Sequence, residues 1–109
     1  MKIFIKNNKG YCSITVSEII CLEAKSNCTK FHLSDNRSYL SVKCLKEYEQ
    51  ILEGQFFYRV HRSYLINGKK LNVFENKNNF ISLAENIQVP IARRRKFLMP
   101  IMMNKRKAI

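Results

Sequence analysis

The sequence predicts a mostly β domain with one short amphipathic helix and a short C-terminal helix. Most of the chain consists of short apolar or alternating runs bounded by Asn, Gly, Ser and Asp, which is the period of strands rather than helices. Only the stretch 43–52 changes clearly to a helical period. Seven Phe, five Tyr and 46% hydrophobic residues in 109 supply enough apolar surface for a packed core, while the length allows a single domain.

Residues 2–6 form a strand that ends at Asn7-Asn8-Lys9-Gly10, and residues 11–16 return across that turn as its hairpin partner. Residues 19–23 are the continuous apolar run of a buried strand. The pattern breaks over 24–27, then 28–33 alternates toward the turn Ser34-Asp35-Asn36, and 37–42 is the returning strand. In 43–52, Leu45, Tyr48 and Leu52 recur at helical spacing with Lys46, Glu47 and Glu49 between them. Ser41 is placed to serve near the N-terminus of this helix, and Gly54 sits where a left-handed C-terminal cap belongs. Further strands are expected at 56–60, 70–74 and 80–83, separated by Asn67-Gly68 and Asn76-Lys77-Asn78-Asn79, and the last, 87–89, halts at Pro90.

Within 57–67, Phe57, Val60, Tyr64 and Ile66 have the character of core, whereas His61 and Arg62 interrupt the apolar run where a turn would aim them outward. Just past Pro90 a helix is expected, with Arg93, Arg94, Arg95 and Lys96 around its first turns. Cations there oppose the helix dipole by a few tenths of a kcal/mol each unless a phosphate neutralises them. Pro100 should end or kink this helix. The domain is taken as residues 1–104, and 105–109, with Lys105, Arg106 and Lys107, as a basic end expected to fray.

Several chemistries lack their residues. Asp35 is the only aspartate and the seven glutamates are scattered, which disfavours a carboxylate-bound metal cluster. No GxxxxGK[ST], GxGxxG or GxSxG occurs, and three glycines cannot furnish a phosphate-cradling loop. Cys12, Cys21, Cys28 and Cys44 form no CxxC pair, and His32 and His61 stand far from any paired-cysteine spacing. The expectation is a non-enzyme without metal or cofactor. With no signal-like leader and no run near the roughly 18 apolar residues of a membrane span, a cytoplasmic location with reduced thiols and no membrane partner is expected.

The charge points to a polyanion. Twenty Lys and Arg against eight Asp and Glu give a formal net charge of +12. The excess is concentrated: positions 54–74 carry Arg59, Arg62, Lys69 and Lys70 with no acid, and positions 86–109 carry seven cations with none. Arginine offers a planar fork that fits a guanine edge or a phosphate, which ranks Arg62 and Arg94 above the lysines as specificity residues. A lone histidine among apolar neighbours is more often structural than a contact, and that is the better expectation for His61. An RNA-binding module would need exposed aromatics on a sheet, and Phe56, Phe57, Tyr58 and Tyr64 are better explained as core. A basic membrane- or protein-docking domain is the other alternative, with Phe97, Leu98, Met99, Ile101, Met102 and Met103 as its only apolar anchor.

Ile20-Cys21-Leu22-Glu23-Ala24-Lys25-Ser26-Asn27, then Leu45-Lys46-Glu47-Tyr48-Glu49, then Phe57-Tyr58-Arg59-Val60-His61-Arg62-Ser63-Tyr64-Leu65-Ile66-Asn67, and finally Val89-Pro90-Ile91-Ala92-Arg93-Arg94 resemble, in this order and spacing, a LytTR DNA-binding domain. The likeness covers nearly the whole chain, and the combination of HRSYLIN with VPIARR is specific. The resemblance implies small packed β-sheets, not a helix-turn-helix, in the output domain of a bacterial response regulator that bends duplex DNA by placing loops and a basic C-terminal segment in successive major grooves. Carried over by motif, Asn27 and Cys28 lie at the DNA, as do Arg62 beside His61 and Arg94, with Arg93, Arg95 and Lys96 on phosphates. Cys28 stands where family members often carry Tyr or His, and a thiol is a poor base reader, which brings Lys25 and Asn27 forward in that loop. Ala92 replaces a common Ser. The implied partners are double-stranded DNA, a receiver domain on a longer chain or a separate protein, and a second copy on DNA.

Overall fold

A computed structural model describes residues 1–75 and 79–107, the stretches 73–75 and 103–107 by their backbone only. Among the described residues, ten strands form three antiparallel sheets. β1 (Lys2–Asn7) pairs with β2 (Gly10–Thr15) as a hairpin whose turn is closed by the Lys9 N–H donating to Asn7 Oδ1 at 2.8 Å. β3 (Ile19–Lys25), β4 (Cys28–Leu33), β5 (Ser38–Ser41), β6 (Phe57–His61) and β7 (Tyr64–Asn67) make a five-stranded sheet in the order β5-β4-β3-β7-β6. β8 (Leu71–Glu75), β9 (Phe80–Leu83) and β10 (Gln88–Pro90) make the third sheet, with β9 in the middle. Two helices complete the fold, α1 (Leu45–Ile51) and α2 (Leu98–Lys107). The mostly β class is as the sequence predicts, and the turn expected at Asn76-Lys77-Asn78 lies outside the described residues.

The five-stranded sheet is covered on both faces. On one, Ile19, Leu22, Phe31, Leu33 and Leu65 pack with Ile3, Ile5 and Ile14 of the β1–β2 hairpin and with Leu45, Tyr48 and Leu52 of the α1 region. On the other, Ile20, Cys21, Val60 and Ile66 pack with Leu71, Ile81, Leu83 and Val89 of the third sheet and with Met99 and Met102 of α2. A strand covered on both sides reads as a continuous apolar run, which is why 19–22 shows no alternation. The register shifts between Ile19 and Cys21, and this bulge turns Ile20 and Cys21 to the same side before Leu22 returns to the first core. Each buried Leu or Ile contributes about 1.5–3 kcal/mol by leaving water, so the central strand is anchored in two cores. Buried Asn67 fastens the end of β7 to the start of β3: its Nδ2 donates to the Ile19 carbonyl at 2.9 Å and its Oδ1 accepts from the Lys69 N–H at 3.0 Å.

The structure departs from the sequence expectations at three places. First, the stretch 57–67 is a complete hairpin, β6–β7, where only 56–60 was expected as a strand. Its two-residue turn, Arg62-Ser63, lacks the Asn or Gly that usually marks one. Second, α1 is capped by Cys44 without a side-chain hydrogen bond, while buried Ser41 pairs through its hydroxyl with the Tyr48 phenol and accepts from the Lys43 N–H at 3.3 Å. Gly54 does take the left-handed conformation, with φ +81°. Third, the cations after Pro90 do not start a helix: Arg93–Arg95 form a 3-10 turn and α2 begins at Leu98. Pro100 neither ends nor breaks α2, because it occupies the first turn, where the missing N–H has no intrahelical partner to lose. The backbone of α2 runs on to Lys107, and residues 108–109 lie outside the described residues.

Candidate nucleic-acid interface

Because β3 runs antiparallel to both β4 and β7, the β3–β4 turn and the β6–β7 turn emerge at the same end of the five-stranded sheet. At the usual strand spacing they stand about 10 Å apart. The Ala24 N–H donates to the Ser63 carbonyl at 2.8 Å, tying the two turns together at their base. The Ala92 N–H donates to the Val60 carbonyl at 2.8 Å, which seats the segment after Pro90 against the outer edge of β6. Three cation-bearing segments distant in sequence are thereby ranged along one end of one sheet.

In the first segment, Lys25 ends β3 and is 52% exposed, with its Nζ 3.2 Å from Glu23 Oε2. Ser26 and Asn27 form the turn and are exposed, Ser26 at φ +55°. Cys28 opens β4 half-buried in a shallow cleft with Asn7, Asn8, Lys9, Leu40 and Val42, so the tip of the β1–β2 hairpin adjoins this loop. That neighbour was not anticipated, because nothing local in 7–10 distinguishes it from an ordinary polar turn.

In the second segment, Arg62 is exposed at the turn, and His61 is half-buried with its ring 5.8 Å from that of Tyr64, edge-on. His61 Nδ1 accepts from the Ser63 N–H at 3.1 Å, leaving Nε2 to carry the proton of the neutral ring. Burial, and then the charges of Arg62 and Arg59, hold the His61 pKa below its ordinary 6.5. The structural role expected for His61 is thus visible in the hydrogen bond that shapes the turn. Between Arg59 and His61 the strand bulges: Arg59 faces Leu65 and the first core, whereas His61 faces Tyr64 and the second.

In the third segment, Arg93 and Arg94 are exposed on the 3-10 turn, while Arg95 and Lys96 are half-buried. Among the described residues no carboxylate pairs with Arg62, Arg93, Arg94, Arg95 or Lys96; the ion pairs of Glu18, Glu23 and Glu49 engage Arg37, Lys25, His32 and Arg59 instead.

Glu23 is the acid within this surface. Its Oε1 accepts from His32 Nε2 at 3.0 Å and its Oε2 from the Tyr64 hydroxyl at 3.1 Å. Partial burial alone would raise its pKa, but the hydrogen bonds from His32, Lys25 and Tyr64 outweigh it and hold the carboxyl below its usual range. Glu23 therefore stays ionised and braces β3, β4 and β7 beneath the turns.

A small β-sheet domain whose arginines without carboxylate partners among the described residues gather on turns at one end belongs to the class of polyanion-binding modules. The LytTr DNA-binding domain family matches residues 9–99, and the chain belongs to that family of DNA-binding domains. No curated protein matches the sequence. Among solved structures the fold is similar to the LytTr DNA-binding domain of a Bacillus cereus protein described as a methyl-accepting/DNA response regulator. The two are 20% identical, with a TM-score of 0.77, over 94% of this chain and 95% of that one. Among the described residues no helix is long and apolar enough to cross a membrane.

Proposed function

We propose that the domain reads duplex DNA sequence-specifically, as the output module of a bacterial transcriptional response regulator, and performs no catalysis. The observation that carries this reading is the convergence of the β3–β4 turn, the β6–β7 turn and the 93–96 segment on one end of the sheet, fixed by the Ala24–Ser63 and Ala92–Val60 backbone bonds. Arg62 and Arg94, exposed and without carboxylate partners among the described residues, reach base edges in the major groove, where a bidentate arginine distinguishes guanine. Asn27 and Cys28 present the second reading loop, with Lys25 below them on a phosphate and the neutral His61 Nε2–H as a further donor. Arg93, Arg95 and Lys96 neutralise phosphates and set the register. The response-regulator setting rests on family membership and on the Bacillus cereus relative.

Selection of bound duplexes from a random-sequence library at near-physiological salt tests this, because salt suppresses the sequence-independent phosphate contribution. Enrichment of a short element, or of two elements about one helical turn apart for two copies side by side, is the expected result. Tight, salt-sensitive binding without any enriched element would overturn sequence-specific reading.

A further inference from the structure

Arg59, like Lys69 and Lys70, is a cation of the 54–74 stretch that the DNA-reading account leaves without a task. It is only 20% exposed and is committed within the protein. Its NH1 donates to Glu49 Oε1 on α1 at 2.7 Å, its Nε to the His61 carbonyl at 3.0 Å, and its NH2 to the Arg62 carbonyl. The guanidinium thus joins a helix of one core to both carbonyls that lead into the β6–β7 turn. The bulge makes this necessary: it turns His61 away from Arg59, so the strand ladder is interrupted just where the turn begins. The guanidinium meets the three acceptors from three separate nitrogens held in one plane, whereas a lysine ammonium has all its donors on a single nitrogen and cannot span the same set.

We propose that Arg59 is a positioning residue for DNA reading, a strut anchored on Glu49 that fixes the β6–β7 turn in the conformation presenting Arg62. This rests on the assignment of Arg62 as a base reader. The strut acts by removing the ordering cost of the turn before DNA arrives. Its loss therefore lowers selective affinity by about threefold to tenfold, the cost of immobilising one long side chain and its turn.

Two measurements on the 109-residue chain test it. The first needs no DNA: amide hydrogen exchange at Arg62 and Ser63, followed by NMR, should accelerate in Arg59→Lys and Arg59→Gln while exchange in β3 and β4 is unchanged. The second compares the most enriched duplex from the library selection with a shuffled duplex of the same length and composition. Arg59→Lys, which keeps the charge and can still pair with Glu49, should lose the threefold to tenfold on the enriched duplex alone. Glu49→Gln, at a half-buried position on α1, should lose part of it with the fold intact. Full binding and unchanged exchange in Arg59→Lys would show that the charge alone suffices and overturn the strut. If Arg62→Ala also binds the enriched duplex as well as the parent, the base-reader assignment fails. If Arg62→Ala loses selectivity while Arg59→Lys does not, only the strut fails.

Discussion

The two hairpin turns at the end of the sheet proposed to meet DNA lie about 10 Å apart and are built in opposite ways. The β6–β7 turn is held from within: Arg59 grips two of its carbonyls, His61 Nδ1 accepts from the Ser63 N–H, and the Ser63 carbonyl is bonded to β3. The β3–β4 turn has none of that bracing at its tip. Below it Lys25 pairs with Glu23, while Ser26 and Asn27 project into solvent, Ser26 at a left-handed φ that costs a residue with a side chain about 1–2 kcal/mol. One turn is preorganised by side-chain bonds, and the other, where among the described residues no side-chain bond reaches Ser26 or Asn27, is the less braced and so the more adaptable. Preorganised donors contribute more to affinity per contact, because binding does not first have to order them.

The largest effect should therefore come from the braced turn. Arg62→Ala is expected to cost about 1–3 kcal/mol on the enriched duplex, the value of a bidentate base contact, with little change on a shuffled duplex. Asn27→Ala should cost less, because part of its contact energy is spent ordering the loop. Fluorescence anisotropy titrations of both variants check this, and equal losses would erase the distinction between the turns.

That distinction was only half legible in the sequence. The nine candidate residues Lys25, Asn27, Cys28, His61, Arg62, Arg93, Arg94, Arg95 and Lys96 fall on the three segments that the fold brings to one end. Arg62 and the cations of 93–96 stand out because charge density and the HRSYLIN and VPIARR motifs are local signals, whereas Lys25, Asn27 and Cys28 enter through the resemblance of the segment 20–27. Bracing by Arg59 and Glu23 was not found, because it depends on which residues face each other across strands, and both β3 and β6 carry a bulge that resets the alternation. A bulge leaves no mark in a run such as Ile19-Ile20-Cys21-Leu22, where every position is apolar. The β7 strand is missed because Arg62-Ser63 carries no Asn or Gly to mark a hairpin turn between it and β6. The helix misplaced to the arginines followed from Pro90, where Pro100 was the proline at a helix start.

A second way to sharpen the comparison is to count phosphates. Lys25→Ala removes a cation from the adaptable turn, and it should weaken enriched and shuffled duplexes alike while reducing the slope of log affinity against log salt by about 1. The lost ion pair with Glu23 is half-exposed and adds little to stability. A selective loss confined to the enriched duplex would instead make Lys25 a base reader and move the two turns closer in kind.

The smallest effect, and the one that separates the supports of the two turns most cleanly, is on stability against pH. The folded pKa of His61 lies below 6.5, so as the pH falls past 6.5 the unfolded chain takes up a proton that the folded β6–β7 turn refuses. Stability is then lost from pH 6.5 downward until the folded imidazole also protonates. The folded pKa of Glu23 lies below 4.5, so its contribution is complete above 4.5 and is lost only as the pH falls through the lower folded value. Urea midpoints measured from pH 8 to pH 3 should therefore decline in two windows, the upper abolished by His61→Gln and the lower by Glu23→Gln. The upper window should also grow shallower in Arg59→Gln, because one of the charges that holds the His61 pKa down is then gone. A single window insensitive to His61→Gln would mean that the imidazole titrates alike in the folded and unfolded chains, and that burial and the charges of Arg62 and Arg59 do not hold it neutral.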